Sequence, residues 1–190
     1  MTQQPISPIA QPGTVSPPSP AGERRRDPVL CGDLDMRIGR DGTWFYHGSP
    51  IGRKPLVKLF ASVLSRDDDG VYWLTTPAEK GRVDVEDAPF VAVEVDASGE
   101  GRRQSLRFRT NVDEAVTCDA DHPIRVSHDA ETGEPSPYLL VRERLEALIA
   151  RSVFYQLVEL GVEEAVGGKR LYGVWSEECF FPLGTMTQAA

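Results

Sequence analysis

The stretch GSPIGRKPLVKLF, residues 48–60, joins a predicted turn to a predicted helix. Apolar side chains recur through it at helical spacing and reach Val63. Two basic residues, Arg53 and Lys54, stand where this helix begins. Positively charged side chains are repelled by the positive end of a helix dipole, so their presence here suggests a role other than helix stabilisation. The two hypotheses are that they bind an anionic ligand or that they keep the surface soluble.

Short strands are predicted on either side of this helix. Ordered structure is expected to begin near Leu30, and Asp41-Gly42 is typical of a hairpin turn. The runs GVYWLTT, RVDVED, FVAVEVD and SLRFRT are rich in strand-forming residues or alternate between apolar and polar positions. The shorter runs AVTC and PIRVSHD continue this pattern. The mixture predicts an α+β fold in which antiparallel strands pack with helices.

The two halves of the chain resemble each other, which indicates an internal repeat. Met36-Arg37-Ile38 matches Ile124-Arg125-Val126, and Ser49-Pro50 recurs as Ser136-Pro137. The helical run LVKLF then matches the run LEALI. The alignment needs small gaps, so chance similarity of two hairpin–helix–strand units is the alternative to duplication.

Duplication would leave a groove where two related units meet, and ligand sites favour such junctions. In this alignment Arg53 and Lys54 occupy a place equivalent to Arg142 and Arg144, near the start of each predicted helix. We therefore expect the seam between the units to hold the functional site.

The longest predicted helix covers residues 139–160, a stretch without Gly or Pro that is rich in helix-forming residues. At about 100° per residue, Arg144, Leu148, Arg151 and Tyr155 fall on one stripe beside its apolar face. A long basic side chain in such a place can bury its stem and present its charged head. This stripe therefore supplies candidate ligand-binding residues.

The chain divides into a tail and two units. Residues 1–29 are predicted to be a disordered tail, because residues 1–28 hold seven of the fifteen prolines and few apolar side chains. Residues 30–88 are predicted to form an N-terminal hairpin–helix–strand unit. Residues 89–190 are predicted to form the C-terminal unit, which contains the long helix.

The composition excludes some classes of protein. A net charge of −8 argues against a protein that coats nucleic acid, although a few arginines can still hold a small phosphorylated ligand. No apolar run approaches the length of a membrane span, and the start of the chain does not resemble a secretory signal. The three cysteines are widely spaced and form no disulfide framework, so we expect reduced thiols in a cytoplasmic protein.

No stretch carries a complete catalytic, cofactor or metal motif. The three histidines lack the spacing of a zinc site, and no serine lies in a nucleophile elbow. Polar residues do leave two strands near the expected junction, namely Glu79 with Lys80 and Thr110 with Asn111. Such residues often orient a ligand, and they are also ordinary at the end of a strand.

Several long phrases occur together and in order along the chain, namely GTWFYHGSPIGRKPLVKLFASVL, YWLTTPAEK, VEDAPFVAVEV, LRFRTNVDEAV, DHPIRV, PYLLVRERLEALIARSVFYQLVELG and GVWSEECFFPLG. These phrases resemble the bacterial domain-of-unknown-function family 1285. The resemblance covers nearly all of residues 33–184 and implies a duplicated core whose C-terminal part is similar to a pleckstrin-homology barrel. It also implies a ligand site between the two parts, for a nucleotide-like or nucleic-acid-derived ligand, and a role in signalling.

The leading hypothesis is a non-catalytic ligand-binding or signalling protein that uses no cofactor. A protein-interaction module and, less favoured, an enzyme acting on a phosphorylated small molecule are the alternatives. The absence of a base–nucleophile pair in the sequence favours the two binding hypotheses. The candidate ligand-binding residues are Arg53, Lys54, Glu79, Lys80, Thr110, Asn111, Arg142, Arg144, Arg151, Tyr155 and Trp175.

Overall fold

A computed structural model describes residues 29–185, and of Val29 and Cys31 it describes the backbone alone. The predicted tail lies outside the described residues, except for Val29, which begins the first strand. The described chain contains fifteen strands and two α-helices, each of nine residues. It is therefore mostly β-structure, within the predicted α+β class. No helix among the described residues is long and apolar enough to cross a membrane.

The N-terminal unit is one six-stranded sheet with a single helix, α1 (Lys54–Ser62). The strand order is β3-β2-β1-β6-β5-β4, with β1 and β6 parallel and the other neighbours antiparallel. A turn at residues 39–43 forms the predicted hairpin between β1 and β2. The strands are β1 Val29–Ile38, β2 Trp44–Tyr46, β3 Ser49–Pro50, β4 Leu64–Arg66, β5 Tyr72–Thr75 and β6 Glu79–Val85.

The C-terminal unit contains a second six-stranded sheet, in the order β10-β11-β12-β7-β8-β9, and a three-stranded sheet, β13-β14-β15. Helix α2 (Arg151–Glu159) connects the two and contacts β7 and β14. The strands are β7 Phe90–Ser98, β8 Ser105–Thr110, β9 Ala115–Thr117, β10 Ile124–His128, β11 Pro135–Arg142, β12 Leu145–Ile149, β13 Val162–Val166, β14 Lys169–Ser176 and β15 Cys179–Thr185.

One hydrophobic core runs through both units. Trp44 of the first unit and Phe90, Phe108 and Leu157 of the second are at most 1% exposed and belong to the same cluster. Strand β8 buries Leu106, Phe108 and Thr110 and exposes the arginines between them, as its alternating sequence predicts. The two units therefore share one hydrophobic core.

The predicted helix over residues 139–160 is wrong. The segment forms β11, a turn, β12 and then the short helix α2. Leu145, Ala147 and Ile149 are buried in alternation, and β12 pairs in parallel with β7. Burial at every second position and a full set of strand hydrogen bonds outweigh helix propensities that differ by only tenths of a kcal/mol per residue.

The order of elements recurs, which fits duplication, but the predicted alignment of the helices is wrong. The series β1-β2-β3-α1-β4-β5-β6 is repeated as β10-β11-β12-α2-β13-β14-β15, with β7-β8-β9 between the two copies. Lys54 therefore corresponds to Arg151, the first residue of each helix. Arg142 and Arg144 lie instead at the turn between β11 and β12. The pleckstrin-homology likeness of the C-terminal unit stays a prediction.

Leu157 is fully buried on α2, where it packs into the shared core. We expect Leu157→Ala to lower the free energy of unfolding by about 2–5 kcal/mol, because it removes buried methyl groups and leaves a cavity. Urea denaturation followed by circular dichroism measures this change. The control is Gln156→Ala, an exposed neighbour on the same helix, which should change stability little. Equal losses in both variants would contradict the inward packing of Leu157.

Candidate functional site

Three cavities open along the seam, each lined by residues of both units. We call them the helix-start cavity, of about 580 Å³, the turn cavity, of about 500 Å³, and the lysine cavity, of about 370 Å³. The helix-start cavity lies at the beginning of α2, the turn cavity beside the β11–β12 turn, and the lysine cavity beside Lys58 of α1. The predicted site residues are divided among these cavities and other places.

The helix-start cavity combines positive charge, hydroxyl groups and an aromatic ring. Arg40 reaches it from the β1–β2 turn, while Arg151 and Tyr155 extend from one face of α2, four residues apart. Arg40 Nη2 lies 3.4 Å from the hydroxyl oxygen of Ser136. The complete lining is Arg40, Glu134, Pro135, Ser136, Pro137, Leu148, Ile149, Ala150, Arg151, Phe154 and Tyr155.

The start of α2 adds backbone donors to this cavity. Ala150 is the N-cap residue and makes no side-chain capping bond, and the first turn holds no acidic residue. The amide of Phe154 is the first to bond within the helix, 2.9 Å from the carbonyl of Ala150. The amides before it have no intrahelical acceptor, so this end of α2 favours a negative charge.

Two carboxylates already lie beside the arginines. Glu134 accepts a hydrogen bond from Arg151, and Asp87 lies 3.2 Å from Nε of Arg40. Both arginine side chains remain more than half exposed, at 65% for Arg40 and 72% for Arg151. The Arg151–Glu134 pair is exposed on both sides and so contributes about 0–1 kcal/mol, which a stronger anion can replace at little cost. Asp87 is only 19% exposed, and it also accepts a hydrogen bond of 2.7 Å from the Tyr138 hydroxyl.

Ion pairs lie beside the lysine cavity; those of Lys54 and Lys58 cross the seam, while that of Arg142 lies within the second unit. Lys54 and Lys58 of α1 approach Asp113 at 2.7 and 3.5 Å, and Arg142 approaches Glu114 at 2.5 Å. Arg142 also donates to the carbonyl of Ala61, again at 2.5 Å. The hydrogen bond from Lys54, supported by the charge of Lys58, holds the pKa of Asp113 below its ordinary value. Lys54 and Arg142 therefore each connect the two units, through Asp113 and the carbonyl of Ala61.

The turn cavity is also lined by paired charges. Arg144 pairs with Asp68 across the seam, and Arg125 pairs with Glu146 at 2.5 Å. Asp67 accepts a hydrogen bond of 2.7 Å from the indole nitrogen of Trp73, and this bond holds the pKa of Asp67 below its ordinary value. Arg144 thus contacts a different cavity from the one that Arg151 lines.

The side chains of Thr110 and Asn111 form hydrogen bonds with backbone groups near the seam. The Thr110 hydroxyl is fully buried and accepts the amide of Glu114 at 3.0 Å. Asn111 accepts the amide of Val91 at 3.0 Å and donates to the carbonyl of Gly42 at 3.1 Å. Gly42 has a φ of +79°, and a Cβ there would lie 2.4 Å from the Asn111 amide nitrogen, so this contact requires glycine.

The other predicted site residues lie apart from the seam cavities. Arg53 is the exposed N-cap residue of α1, and Glu79 lines a cavity inside the N-terminal unit. Lys80 lies over the ring of Trp73, 4.4 Å from its centre. Trp175 packs against Phe180 in the three-stranded sheet, with Arg102 over its ring. The eleven predicted residues do not meet in one cleft.

Sequence reasoning missed Arg40, Glu134 and Ser136 as residues of the helix-start cavity. Ser136-Pro137 was visible as a marker of the repeat, yet no local pattern places it near α2. Arg40 lies in the β1–β2 turn, so whether it reaches α2 depends on how the units pack. Among residues 29–185 no group of three or more His, Cys, Asp or Glu side chains is arranged to hold a metal ion.

Comparison with known proteins identifies similar sequences and folds. Residues 24–88 match the N-terminal domain of unknown function DUF1285, and residues 89–183 match the DUF1285 C-terminal domain. A solved DUF1285 family protein from Silicibacter pomeroyi DSS-3 is 47% identical, with 88% of each chain covered and a TM-score of 0.78. Another from Shewanella baltica OS155 is 29% identical, covering 67% of this chain and 91% of that one, with a TM-score of 0.52. No curated protein matches the chain.

The ion pairs of Asp113 predict a dependence of stability on pH. Its folded-state pKa is lowered, so its contribution is present above the ordinary value of 3.8 and is lost as pH falls through the folded-state value. We expect Asp113→Asn to lower the urea midpoint at pH 7, and we expect the difference from the unmodified protein to shrink toward pH 2. Asn tolerates the backbone φ of +62° at this position, so the substitution tests charge and not strain.

Asp69→Asn, at an exposed position in the β4–β5 turn, is the matched control. Its effect should be small at both pH values. A loss for Asp113→Asn that is the same at pH 7 and pH 2 would show that the charge of Asp113 does not join the units.

Proposed function

The chain belongs to the DUF1285 family, and we propose that it is a non-catalytic protein that binds a nucleotide-like or nucleic-acid-derived ligand in the helix-start cavity. The proposal includes a cytoplasmic role in signal transduction, in which the bound ligand would link the two units. The observation that carries it is the meeting of two arginines, an uncapped helix start and an exposed aromatic ring in one cavity.

The arginines and the helix start supply what a phosphate group requires. Guanidinium groups bind phosphate oxygens through charge-assisted hydrogen bonds, and backbone amides at a helix start favour the same charge. Arg40 belongs to the first unit and Arg151 to the second, so one phosphate held by both would connect the units. Glu134 would then lose an exposed ion pair, which contributes little energy, and Asp87 would keep its hydrogen bond from the Tyr138 hydroxyl.

Tyr155 supports the rest of the proposed ligand. The residue is 58% exposed and lies one helical turn beyond Arg151. A nucleobase stacked on an aromatic side chain gains about 1–3 kcal/mol. Leu148, Ile149 and Phe154 complete an apolar wall, and a volume of about 580 Å³ is ordinary for a small-molecule site.

A protein-interaction module is the second candidate. Tyr155 and Val158 on α2 and Val162 just after it are all exposed, and they extend the apolar surface beyond the cavity. A partner peptide with an acidic group could use the same arginines. The enzyme alternative is less favoured, because Ser136 is bonded to Arg40 and the cavity lining holds no histidine to act as its base.

Nucleotide binding tests the proposal. We expect mononucleotides and dinucleotides, screened by thermal shift and then by calorimetry, to stabilise the full chain. Arg151→Gln should weaken the binding about tenfold, since it removes a charge-assisted phosphate contact. The matched control is Arg170→Gln. Arg170 also pairs with a glutamate and is 64% exposed, but it lies on β14, outside the helix-start cavity.

Other outcomes would overturn the proposal. An absence of any shift at millimolar nucleotide, or equal weakening by Arg151→Gln and Arg170→Gln, would show that the cavity does not hold the phosphate. Turnover of the nucleotide during incubation would replace the binding protein with an enzyme. An acidic peptide whose binding depends on Tyr155, in a protein that binds no nucleotide, would establish the interaction module.

A further inference from the structure

A separate cavity of about 430 Å³ lies inside the N-terminal unit, between α1 and its sheet. It shares no lining residue with the three seam cavities. Its walls are mostly aliphatic or aromatic, and the polar groups among them belong to Tyr46, Thr76 and Glu79. The lining is Leu34, Met36, Tyr46, Ile51, Leu56, Phe60, Val63, Leu74, Thr76, Glu79 and Gly81.

Helix α1 faces this space with part of its apolar surface. Its buried residues are Val57 and Ala61, four apart, as Val153 and Leu157 are on α2. Leu56 and Phe60 lie next to them on α1, are only half-buried and line the cavity. The apolar surface of α1 is therefore wider than the part that the core covers. Apolar surface left open in this way binds apolar ligands.

One polar residue of this cavity, Glu79, carries a negative charge. Thr76 donates to the backbone carbonyl of Glu79 at 3.1 Å and accepts its amide at 3.0 Å, which fixes the backbone at this end of β6. Among the described side chains, the Glu79 carboxylate has neither an ion pair nor a hydrogen bond. Lys80 does not neutralise it, because successive strand residues face opposite ways and Lys80 lies over Trp73.

We infer that this cavity binds a small amphiphile with an apolar body and a positively charged head. The body would lie against Met36, Phe60 and Leu74, and the head would meet Glu79 and the Tyr46 hydroxyl. An anionic amphiphile of equal length would place its charge beside the Glu79 carboxylate and bind less well. The site is independent of the helix-start cavity, so binding here and nucleotide binding there can fail separately.

Three probes with the same alkyl chain test the inference: octylamine, 1-octanol and octanoate. We expect calorimetry on the full chain at neutral pH to rank their affinities in that order. The ammonium head should gain about threefold over the hydroxyl, as one exposed ion pair allows. Trp44 stacks on Phe60 with ring centres 6.2 Å apart, so binding should also change tryptophan fluorescence.

Two helix variants distinguish the cavity from the outer surface. Leu56→Trp places a larger ring in the cavity and should weaken all three probes about tenfold. Leu59→Trp is the matched control, because Leu59 lies on the same helix, is 60% exposed and does not line the cavity. Glu79→Gln, an exposed change that leaves the core intact, should remove the preference for octylamine and retain the binding of octanol.

The inference fails if no probe binds below its solubility limit or micelle concentration, or if Leu56→Trp and Leu59→Trp weaken binding equally. It also fails if octanoate binds as well as octylamine, or if Glu79→Gln leaves the ranking unchanged. Nucleotide affinity should be the same with and without octylamine, which keeps the two sites distinct.

Discussion

The parallel pairing of β12 with β7 is the constraint on which the arrangement of the C-terminal unit depends. Ala147, Leu148 and Ile149 pair with Phe90, Val91 and Ala92, which joins the repeated strands to the three strands β7-β8-β9 inserted between the copies. Directly after these pairs, the amide of Ala150 donates a hydrogen bond to the carbonyl of Ala92 at 3.0 Å. This contact fixes where β12 ends and α2 begins. The helix-start cavity exists because α2 begins at Arg151 and not a dozen residues earlier.

The charged residues of the seam have two different roles. Lys54, Lys58 and Arg142 are bound to carboxylates or a carbonyl of the other unit, and they hold the units together. Arg40 and Arg151 are more exposed. Ligands can more readily recruit side chains that keep their freedom, since fewer established contacts are lost. Lys54, Lys58 and Arg142 therefore have a structural role, whereas Arg40 and Arg151 belong to the proposed ligand site.

Duplication gives the protein an internal reference. Both copies order three strands, a helix and three strands, and each helix buries residues on one face. The copies differ in closure, because β1 and β6 form a parallel ladder while β10 contacts β15 without a ladder among the described residues. Each helix also lines a cavity beside its buried face, α1 with Leu56 and Phe60 and α2 with Phe154 and Tyr155.

The sequence by itself determined the strands with alternating burial, the hairpin at Asp41-Gly42, helix α1 and the family. These features are local, because periodicity and turn residues act over a few positions. The tertiary structure alone decided that residues 139–149 are strands and that Arg151, Arg40 and Ser136 share a cavity. Helix and strand propensities differ by tenths of a kcal/mol per residue there, whereas the pairing of β12 with β7 and the burial of Leu145 and Ile149 contribute more. The structure of this segment thus depends on contacts with residues far away in the chain, such as those of β7, and these contacts leave no local sequence pattern.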